Sequence, residues 1–157
     1  MDLSAPRHPR LVIFGAGKTG QAVARLFADL PFEVEQYDSQ PEAEAPGVGI
    51  HGEDELVEMA ALAGEEDFIL VLTHSHELDY RLVHAVLDAA RARYCGLMGS
   101  RAKRDKFLDQ LATDGLEESA IARLSCPVGL PGLKGHEPPV VAISIAAELL
   151  QIVQDGE

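Results

Sequence analysis

The segment LVIFGAGKTG, residues 11–20, joins a short apolar run to a glycine-rich turn. Uniformly apolar runs of this length are typical of strands that are buried on both faces. The residues that follow place apolar side chains at helical spacing as far as Leu30, just before Pro31. Gly15, Gly17 and Gly20 therefore satisfy the pattern G-x-G-x-x-G between a predicted strand and a predicted helix.

Each glycine of this pattern has a physical role in binding a nucleotide-like ligand. Gly15 permits the tight turn, Gly17 lets the backbone approach a pyrophosphate, and Gly20 lets the helix pack close to the strand. The free amides at the helix N-terminus then face the anion. The alternative is a tight turn that binds nothing, since folds of this kind do lose their ligands.

Three further residues complete the predicted binding site at this turn. Lys18 and Thr19 lie where the predicted helix begins. Asp38 ends the second predicted strand, roughly the ~20 residues downstream at which an acidic side chain bonds a ribose hydroxyl. Gly17-Lys18-Thr19 also resembles the end of a P-loop, but that pattern requires a glycine at position 12, where Val12 stands. A Rossmann-type turn is therefore favoured over a kinase or ATPase loop.

Strand-like and helix-like segments alternate along the rest of the chain. Strands are predicted at residues 11–14, 32–38, 68–72 and 94–98, and helices at 18–30, 54–62, 77–93, 101–113, 116–124 and 138–153. Residues 39–49, rich in proline and glycine, are predicted to form a loop. Because this alternation favours parallel pairing with right-handed crossovers, we predict a three-layer doubly wound parallel sheet. The α/β fold is then a single Rossmann-like domain over residues 1–157, with a polar leader at 1–10.

Composition excludes several classes of function. The 157 residues include 26 acidic and 13 basic side chains, for a formal net charge of -13, so nucleic acids and anionic membrane surfaces would on average repel the protein. Cys95 and Cys126 are too few for a disulfide scaffold, and both thiols are expected to be reduced. No apolar stretch approaches the ~20 residues that span a bilayer, and no signal peptide is recognised. We therefore expect a cytoplasmic protein.

A second polar constellation, Thr73-His74-Ser75-His76-Glu77-Leu78-Asp79, follows a predicted apolar strand. Ligand-binding loops gather at the carboxyl ends of such strands, so Thr73, His74 and His76 are candidate site residues. The two imidazoles could ligate a metal or transfer protons near neutral pH. Alternatively, one of them caps the next helix and the other is solvated. No third metal ligand is evident, and no metal site is predicted.

Two further features are candidates for chemistry. The basic cluster consists of Arg101, Lys103, Arg104 and Lys106, and a solvated helix face is one interpretation of it. Alternatively, Ser100, which is expected to cap a helix, offers a second anion site together with Arg101, Lys103 and Arg104. Cys126, beside Pro127 in a predicted loop, could act as a soft ligand or sulfur acceptor, although a buried structural thiol is the alternative. Cys95 lies within an apolar strand and is expected in the core.

Several stretches together resemble the C-terminal Rossmann domain of the XdhC/CoxI family, the maturation factors of molybdenum hydroxylases. The resemblance extends over nearly the whole chain from Leu11. It rests on LVIFGAG at 11–17, VLTHSHELD at 71–79, YCGLMGSRAKR at 94–104, CPVG at 126–129 and VAISIAAEL at 141–149. Lys18 and Thr19 depart from the family, in which His-Val or a similar pair is usual.

The resemblance implies a non-catalytic accessory protein. Such a protein would hold molybdenum cofactor, support its sulfuration with a cysteine desulfurase, and deliver it to a xanthine-dehydrogenase-like molybdenum hydroxylase. It also implies a homodimer. Members of the family commonly carry a further N-terminal domain with cysteine motifs, so the expected alternatives are a free-standing relative, one half of a split pair whose separate partner chain supplies that domain, or a form that has lost cofactor binding.

Two other functions use the same residues. An NAD(P)-dependent oxidoreductase would bind its dinucleotide at the glycine turn, with His74 or His76 moving a proton. Alternatively, a nucleotide-sensing module would contact a large oxidoreductase through an exposed face.

Overall fold

The computed structural model describes residues 8–43 and 45–156. Six parallel strands form one sheet in the order β3-β2-β1-β4-β5-β6. The strands are β1 (Arg10–Phe14), β2 (Glu33–Asp38), β3 (Val48–Ile50), β4 (Phe68–Val71), β5 (Tyr94–Leu97) and β6 (Leu124–Ser125). The helices are α1 (Lys18–Phe27), α2 (Glu53–Ala61), α3 (His76–Ala89), α4 (Arg101–Thr113), α5 (Glu118–Ile121) and α6 (Pro138–Asp155). The order reverses between β1 and β4, which confirms the doubly wound fold.

Successive residues of the central strands face opposite layers, because side chains alternate along a strand. In β1, Leu11 and Ile13 pack with apolar residues of α1 and α6, whereas Val12 and Phe14 pack with α2, α3 and α4. The same alternation holds in β4. Two hydrophobic cores therefore lie on the two faces of the sheet, and their burial explains why these strands read as unbroken apolar runs.

The structure corrects several predicted boundaries. The predicted loop at 39–49 contains the start of β3, and the helix predicted over 116–124 is only α5, since its last residue begins β6. The first helix ends at Phe27 rather than Leu30, and α3 ends at Ala89 rather than Arg93. Arg10, placed in the polar leader, belongs to β1; residues 1–7 of that leader lie outside the described residues. In the part of the chain that is described, no helix is long and apolar enough to cross a membrane.

Candidate functional site

The glycine turn between β1 and α1 is built by two close backbone approaches. Gly15 has a φ of +128°, and a Cβ there would lie 2.2 Å from the carbonyl oxygen of Leu72. A Cβ on Gly20 would lie 2.4 Å from the carbonyl oxygen of Gly15. No larger residue fits either position without a shift of the backbone. The packing role predicted for Gly20 is therefore visible in the structure.

Gly17 differs from both of these glycines. It is exposed and is the N-cap residue of α1, with a φ of -73°, and a Cβ placed there would have no neighbour within 4 Å. Among the described residues no side chain caps this helix. The first-turn amides of a helix have no partners within it, so here they are available to a ligand. Gly17 thus borders open space instead of filling a gap in the core.

That space is a cleft of about 630 Å³ at the carboxyl ends of β1, β2 and β4, which we call the glycine-turn cleft. Gly15 is buried beneath it and shapes the turn. The residues that line the cleft are Ala16, Gly17, Lys18, Thr19, Gly20, Gln21, Asp38, Gln40, Glu42, Ala43, Leu72, Thr73, His74 and Met98. Most of the predicted binding residues are thus brought together in one place, which is where open α/β sheets bind ligands.

Asp38 lines the cleft but is only 4% exposed. Its Oδ2 accepts a hydrogen bond of 2.7 Å from the backbone N–H of Ala16. Its Oδ1 accepts from the N–H groups of Ser39, at 2.7 Å, and Gln40, at 3.0 Å. The carboxylate therefore ties the end of β2 to the glycine turn. Since a carboxylate offers about four lone-pair sites, a ribose hydroxyl would share it with these amides.

The motif after β4 is held together by its own side chains. Asp79 is fully buried, and its Oδ1 accepts two hydrogen bonds from Thr73, one from the N–H at 2.9 Å and one from the Oγ1 hydroxyl at 2.7 Å. Ser75 caps α3, because its Oγ accepts from the N–H of Leu78 at 3.2 Å. The cap of this helix is therefore a serine, and the alternative in which a histidine caps it is wrong.

Lys103 completes this network from α4. Its Nζ donates to Oδ2 of Asp79 at 2.8 Å and to the carbonyl oxygen of Met98 at 3.0 Å. The Lys103 side chain is only 10% exposed, so it is a buried structural cation and not part of a solvated basic face. The pair joins the loops that follow β4 and β5. Sequence reasoning missed it, although Asp79 lies beside Leu78 on the apolar stripe of α3, where a carboxylate requires a partner.

The two histidines of the motif face different surroundings. His74 is exposed and lines the glycine-turn cleft. His76 borders a separate surface hollow between α3 and α4, together with Tyr80 and Lys106. The structure therefore does not bring the two imidazoles to one site. Across residues 8–43 and 45–156, no group of three or more His, Cys, Asp or Glu side chains is placed to hold a metal ion.

The predicted anion site at the start of α4 is only partly assembled. Ser100 caps the helix as expected, with its Oγ accepting from the N–H of Lys103 at 3.2 Å. Arg101 is exposed, and Arg104 pairs with Asp105 at 3.3 Å on the surface. In the described part of the chain, neither arginine is among the residues lining the glycine-turn cleft.

The two cysteines are both poorly suited to nucleophilic chemistry in this structure. Cys126 is half-buried, and its Sγ lies 4.0 Å from the carbonyl oxygen of Gly99. Burial raises the pKa of the Cys126 thiol, with Lys103 and Arg104 opposing that rise. Burial within β5 raises the pKa of Cys95 to about 12, as its expected core position implies. Because the thiolate is the reactive form, a raised pKa makes both cysteines less reactive near neutral pH than an exposed cysteine.

The chain matches a known protein family over most of its length. Residues 11–149 match the family model described as the XdhC Rossmann domain. The chain belongs to this family. The resemblance seen in the sequence is therefore confirmed over the same stretch.

Two longer relatives align with most of this chain. The uncharacterized protein YqeB of Escherichia coli (strain K12) is 34% identical over 151 residues, which are 92% of this chain and 27% of that protein. A probable xanthine dehydrogenase subunit from Bacillus subtilis (strain 168) is 28% identical over 151 residues, covering 91% and 42% respectively. The chain therefore spans less than half the length of these relatives.

Solved structures agree on the fold. The crystal structure of a xanthine dehydrogenase from Bacillus halodurans superposes with a TM-score of 0.80 at 25% identity, covering 96% of this chain and 44% of that one. An imine reductase from Myxococcus stipitatus in complex with NAD+ has a TM-score of 0.50 at 17% identity, covering 69% and 38%. The second likeness shows the Rossmann fold alone.

Proposed function

We propose that this domain binds molybdenum cofactor, or a related nucleotide ligand, and assists the sulfuration of the cofactor and its insertion into a xanthine-dehydrogenase-like molybdenum hydroxylase. The observation that carries the proposal is the open corner at Gly17, where uncapped helix amides border a cleft of about 630 Å³. The biological setting is supported by membership of the XdhC family and by two longer matches whose names refer to xanthine dehydrogenase.

The residues present fit the chemical groups of this cofactor, a pterin that carries a phosphate and often a nucleotide joined through a pyrophosphate. The first-turn amides of α1 and the ammonium group of Lys18 would hold the phosphates. Asp38 would accept from a ribose hydroxyl where a nucleotide is present. The cofactor would supply its sulfurated metal centre to the client enzyme, so the accessory role requires no turnover by this chain.

The partners of this role follow from the family resemblance and are part of the proposal. They are a cysteine desulfurase and a molybdenum hydroxylase, with the present domain acting as a homodimer. The formal charge of -13 suits contact with basic protein surfaces better than with polyanions. The proposed setting is the cytoplasm.

One observation favours a second candidate, an NAD-dependent oxidoreductase. Asp38 stands at the end of β2 beside the glycine turn, as an acidic residue does in NAD-binding folds. Asp38 and Glu42 both line the cleft, so a 2′-phosphate would meet two carboxylates there. This candidate therefore predicts NAD and not NADP.

Direct binding measurements separate these functions. The purified protein is titrated calorimetrically with molybdenum cofactor, NAD+ and NADP+ in turn. The accessory proposal expects retention of the pterin cofactor and no reductase activity. Tight NAD+ binding together with hydride transfer to an added acceptor would contradict it and establish the oxidoreductase.

A matched pair of glycine variants tests the site itself. Gly17 and Gly52 are the N-cap residues of α1 and α2, with φ values of -73° and -63°, and a Cβ on either would have no neighbour within 4 Å. Of these two glycines, Gly17 lines the glycine-turn cleft and Gly52 does not. We expect Gly17→Val to weaken ligand binding by about tenfold or more, because the new side chain occupies the position of the phosphate, while Gly52→Val leaves it unchanged. Equal affinities in both variants would refute binding at this turn.

A further inference from the structure

A second cleft, of about 620 Å³, lies beside the first, and we call it the α6 cleft. The residues that line it are Thr19, Met98, Gly99, Ser100, Pro127, Val128, Leu133, Lys134, Gly135, His136, Val140, Val141 and Ser144. Thr19 and Met98 line both clefts. The two clefts are therefore adjacent along the carboxyl edge of the sheet, between the end of β2 and the N-terminal half of α6, with Thr19 and Met98 at their shared boundary.

The walls of the α6 cleft are fixed by hydrogen bonds within the protein. Helix α6 holds the loop that follows β6, since Ser144 Oγ accepts from the N–H of Leu130 at 2.7 Å. The Oε1 of Glu148 accepts from the N–H of Gly129 at 3.0 Å and from the hydroxyl of Tyr94 at 2.6 Å. On the opposite wall, Met98 is held by the hydrogen bond that Lys103 Nζ donates to its carbonyl oxygen. The cleft is thus shaped before any ligand arrives, which lowers the cost of binding.

The chemical character of this cleft differs from that of its neighbour. Among the described residues, those lining it include no carboxylate, although the chain has twice as many acidic as basic side chains. Lys134, His136 and Ser100 supply hydrogen-bond donors, and Val128 and Val140 supply apolar surface. The glycine-turn cleft, in contrast, carries two carboxylates. Apolar surface edged by hydrogen-bond donors suits a ring with several acceptor atoms, whereas a cationic ring would be repelled by the ammonium group of Lys134.

We propose that the α6 cleft binds the ring half of a two-part ligand whose nucleotide half occupies the glycine-turn cleft. The ring is a neutral or anionic heterocycle that bears carbonyl oxygens and ring nitrogens, of the pterin or flavin class, and not a nicotinamide cation. Lys134 and His136 contact its acceptor atoms. This inference rests on the proposed function in so far as a nucleotide must occupy the first cleft.

Ligands that share one half and differ in the other test the inference. ADP and CDP serve as nucleotide halves, FAD and molybdopterin cytosine dinucleotide as the matching two-part ligands with acceptor-rich rings, and NAD+ as the counterpart with a cationic ring. Calorimetry should show that at least one acceptor-rich dinucleotide binds about tenfold or more tightly than its own nucleotide half, and that NAD+ binds no more tightly than ADP. A dinucleotide affinity equal to that of the nucleotide half would overturn the inference and leave the first site intact. Failure of both ADP and CDP to bind would remove the nucleotide site and overturn this inference, whereas the proposed function fails only if molybdenum cofactor without a nucleotide also does not bind.

Variants of α6 assign the added affinity to the cleft. Val140 lines the cleft, whereas Ile143, one turn further along the same helix, is 56% exposed and lies outside it. We expect Val140→Trp to remove the added affinity of the dinucleotide while nucleotide binding persists, and Ile143→Trp to change neither. The double variant Lys134→Ala/His136→Ala changes exposed loop residues and gives a second test that does not depend on packing. It should lower dinucleotide affinity about tenfold with unchanged thermal stability. Full dinucleotide affinity in both variants would refute the assignment.

Discussion

The loops after β1 and β4 lie side by side at the carboxyl edge of the sheet, and both contain polar or glycine residues of the kind that bind ligands. In the first, Gly17 leaves the amides of α1 uncapped and open to a cleft. In the second, Ser75 caps α3, and Asp79 accepts hydrogen bonds from the amide and the hydroxyl of Thr73. The difference shows that polar side chains at the end of a strand can bond to the protein itself and stabilise a loop. A glycine turn without such side chains instead leaves its backbone N–H groups available to a ligand.

The largest loss of stability is expected where the ion pair between Lys103 and Asp79 is broken. Lys103→Met leaves Asp79 buried and without its ion-pair partner, so we expect a loss of about 3–5 kcal/mol in the free energy of unfolding. Lys106→Met, on an exposed face of the same helix, should change it by less than about 0.5 kcal/mol. Urea unfolding followed by circular dichroism measures both. A loss below about 1 kcal/mol for Lys103→Met would mean that this ion pair does not stabilise the loop after β4.

A smaller loss of stability should distinguish Gly20 from Gly17 at the turn after β1. Gly20→Ala places a Cβ 2.4 Å from the carbonyl oxygen of Gly15, and forcing this contact apart should cost about 1–3 kcal/mol. Gly17→Ala meets no neighbour and adopts an ordinary φ, so its unfolding free energy should lie within about 0.5 kcal/mol of the parent. Thermal and urea unfolding distinguish the two. If both variants were equally unstable, Gly17 would be a packing glycine and the corner would not be open.

Sequence reasoning succeeded where a local pattern decides the structure. The glycine spacing of residues 15–20, between an apolar run and an amphipathic segment, predicted β1, the turn and α1, and Ser100 predicted the cap of α4. The missed strands β3 and β6 have three and two residues, and segments this short show no periodicity. Their pairing depends on the longer strands beside them.

The candidate site was harder to predict than the fold because its contacts join distant parts of the chain. Lys103 and Asp79 are 24 residues apart, and the basic cluster gave no direct sign that one of its members points inward. A weak signal did exist. Helical spacing places Lys103 on the same face as Phe107 and Leu111, both buried, so a partner for its charge could have been sought.

The smallest predicted effect lies at the opposite edge of the sheet, where β1 and β4 begin. Nη2 of Arg10 donates to Oδ2 of Asp67 at 2.6 Å, and the N–H of Gly64 donates to the same oxygen at 2.8 Å. Burial raises the pKa of Asp67, but these hydrogen bonds prevail and lower it below the ordinary value. The ionised carboxylate therefore contributes stability that is complete above the unfolded pKa of about 3.9 and is lost as the pH falls through the lower folded pKa.

The variant Asp67→Asn measures how much this carboxylate at the amino edge of the sheet contributes to stability. Because the Arg10 side chain is 38% exposed, solvent weakens the pair, and we expect a loss of about 1 kcal/mol at pH 7. The difference between parent and variant in urea unfolding should shrink as the pH is lowered below about 4, where the parent carboxyl is also becoming neutral. Asp105→Asn, at an exposed surface pair, should show almost no loss at either pH. A deficit for Asp67→Asn that stayed constant with pH would exclude the charge as its cause. Ligand affinity should be unchanged in Asp67→Asn, because the helix amides and both clefts lie at the far end of the strands. A fall in its affinity would show that the two edges are not independent.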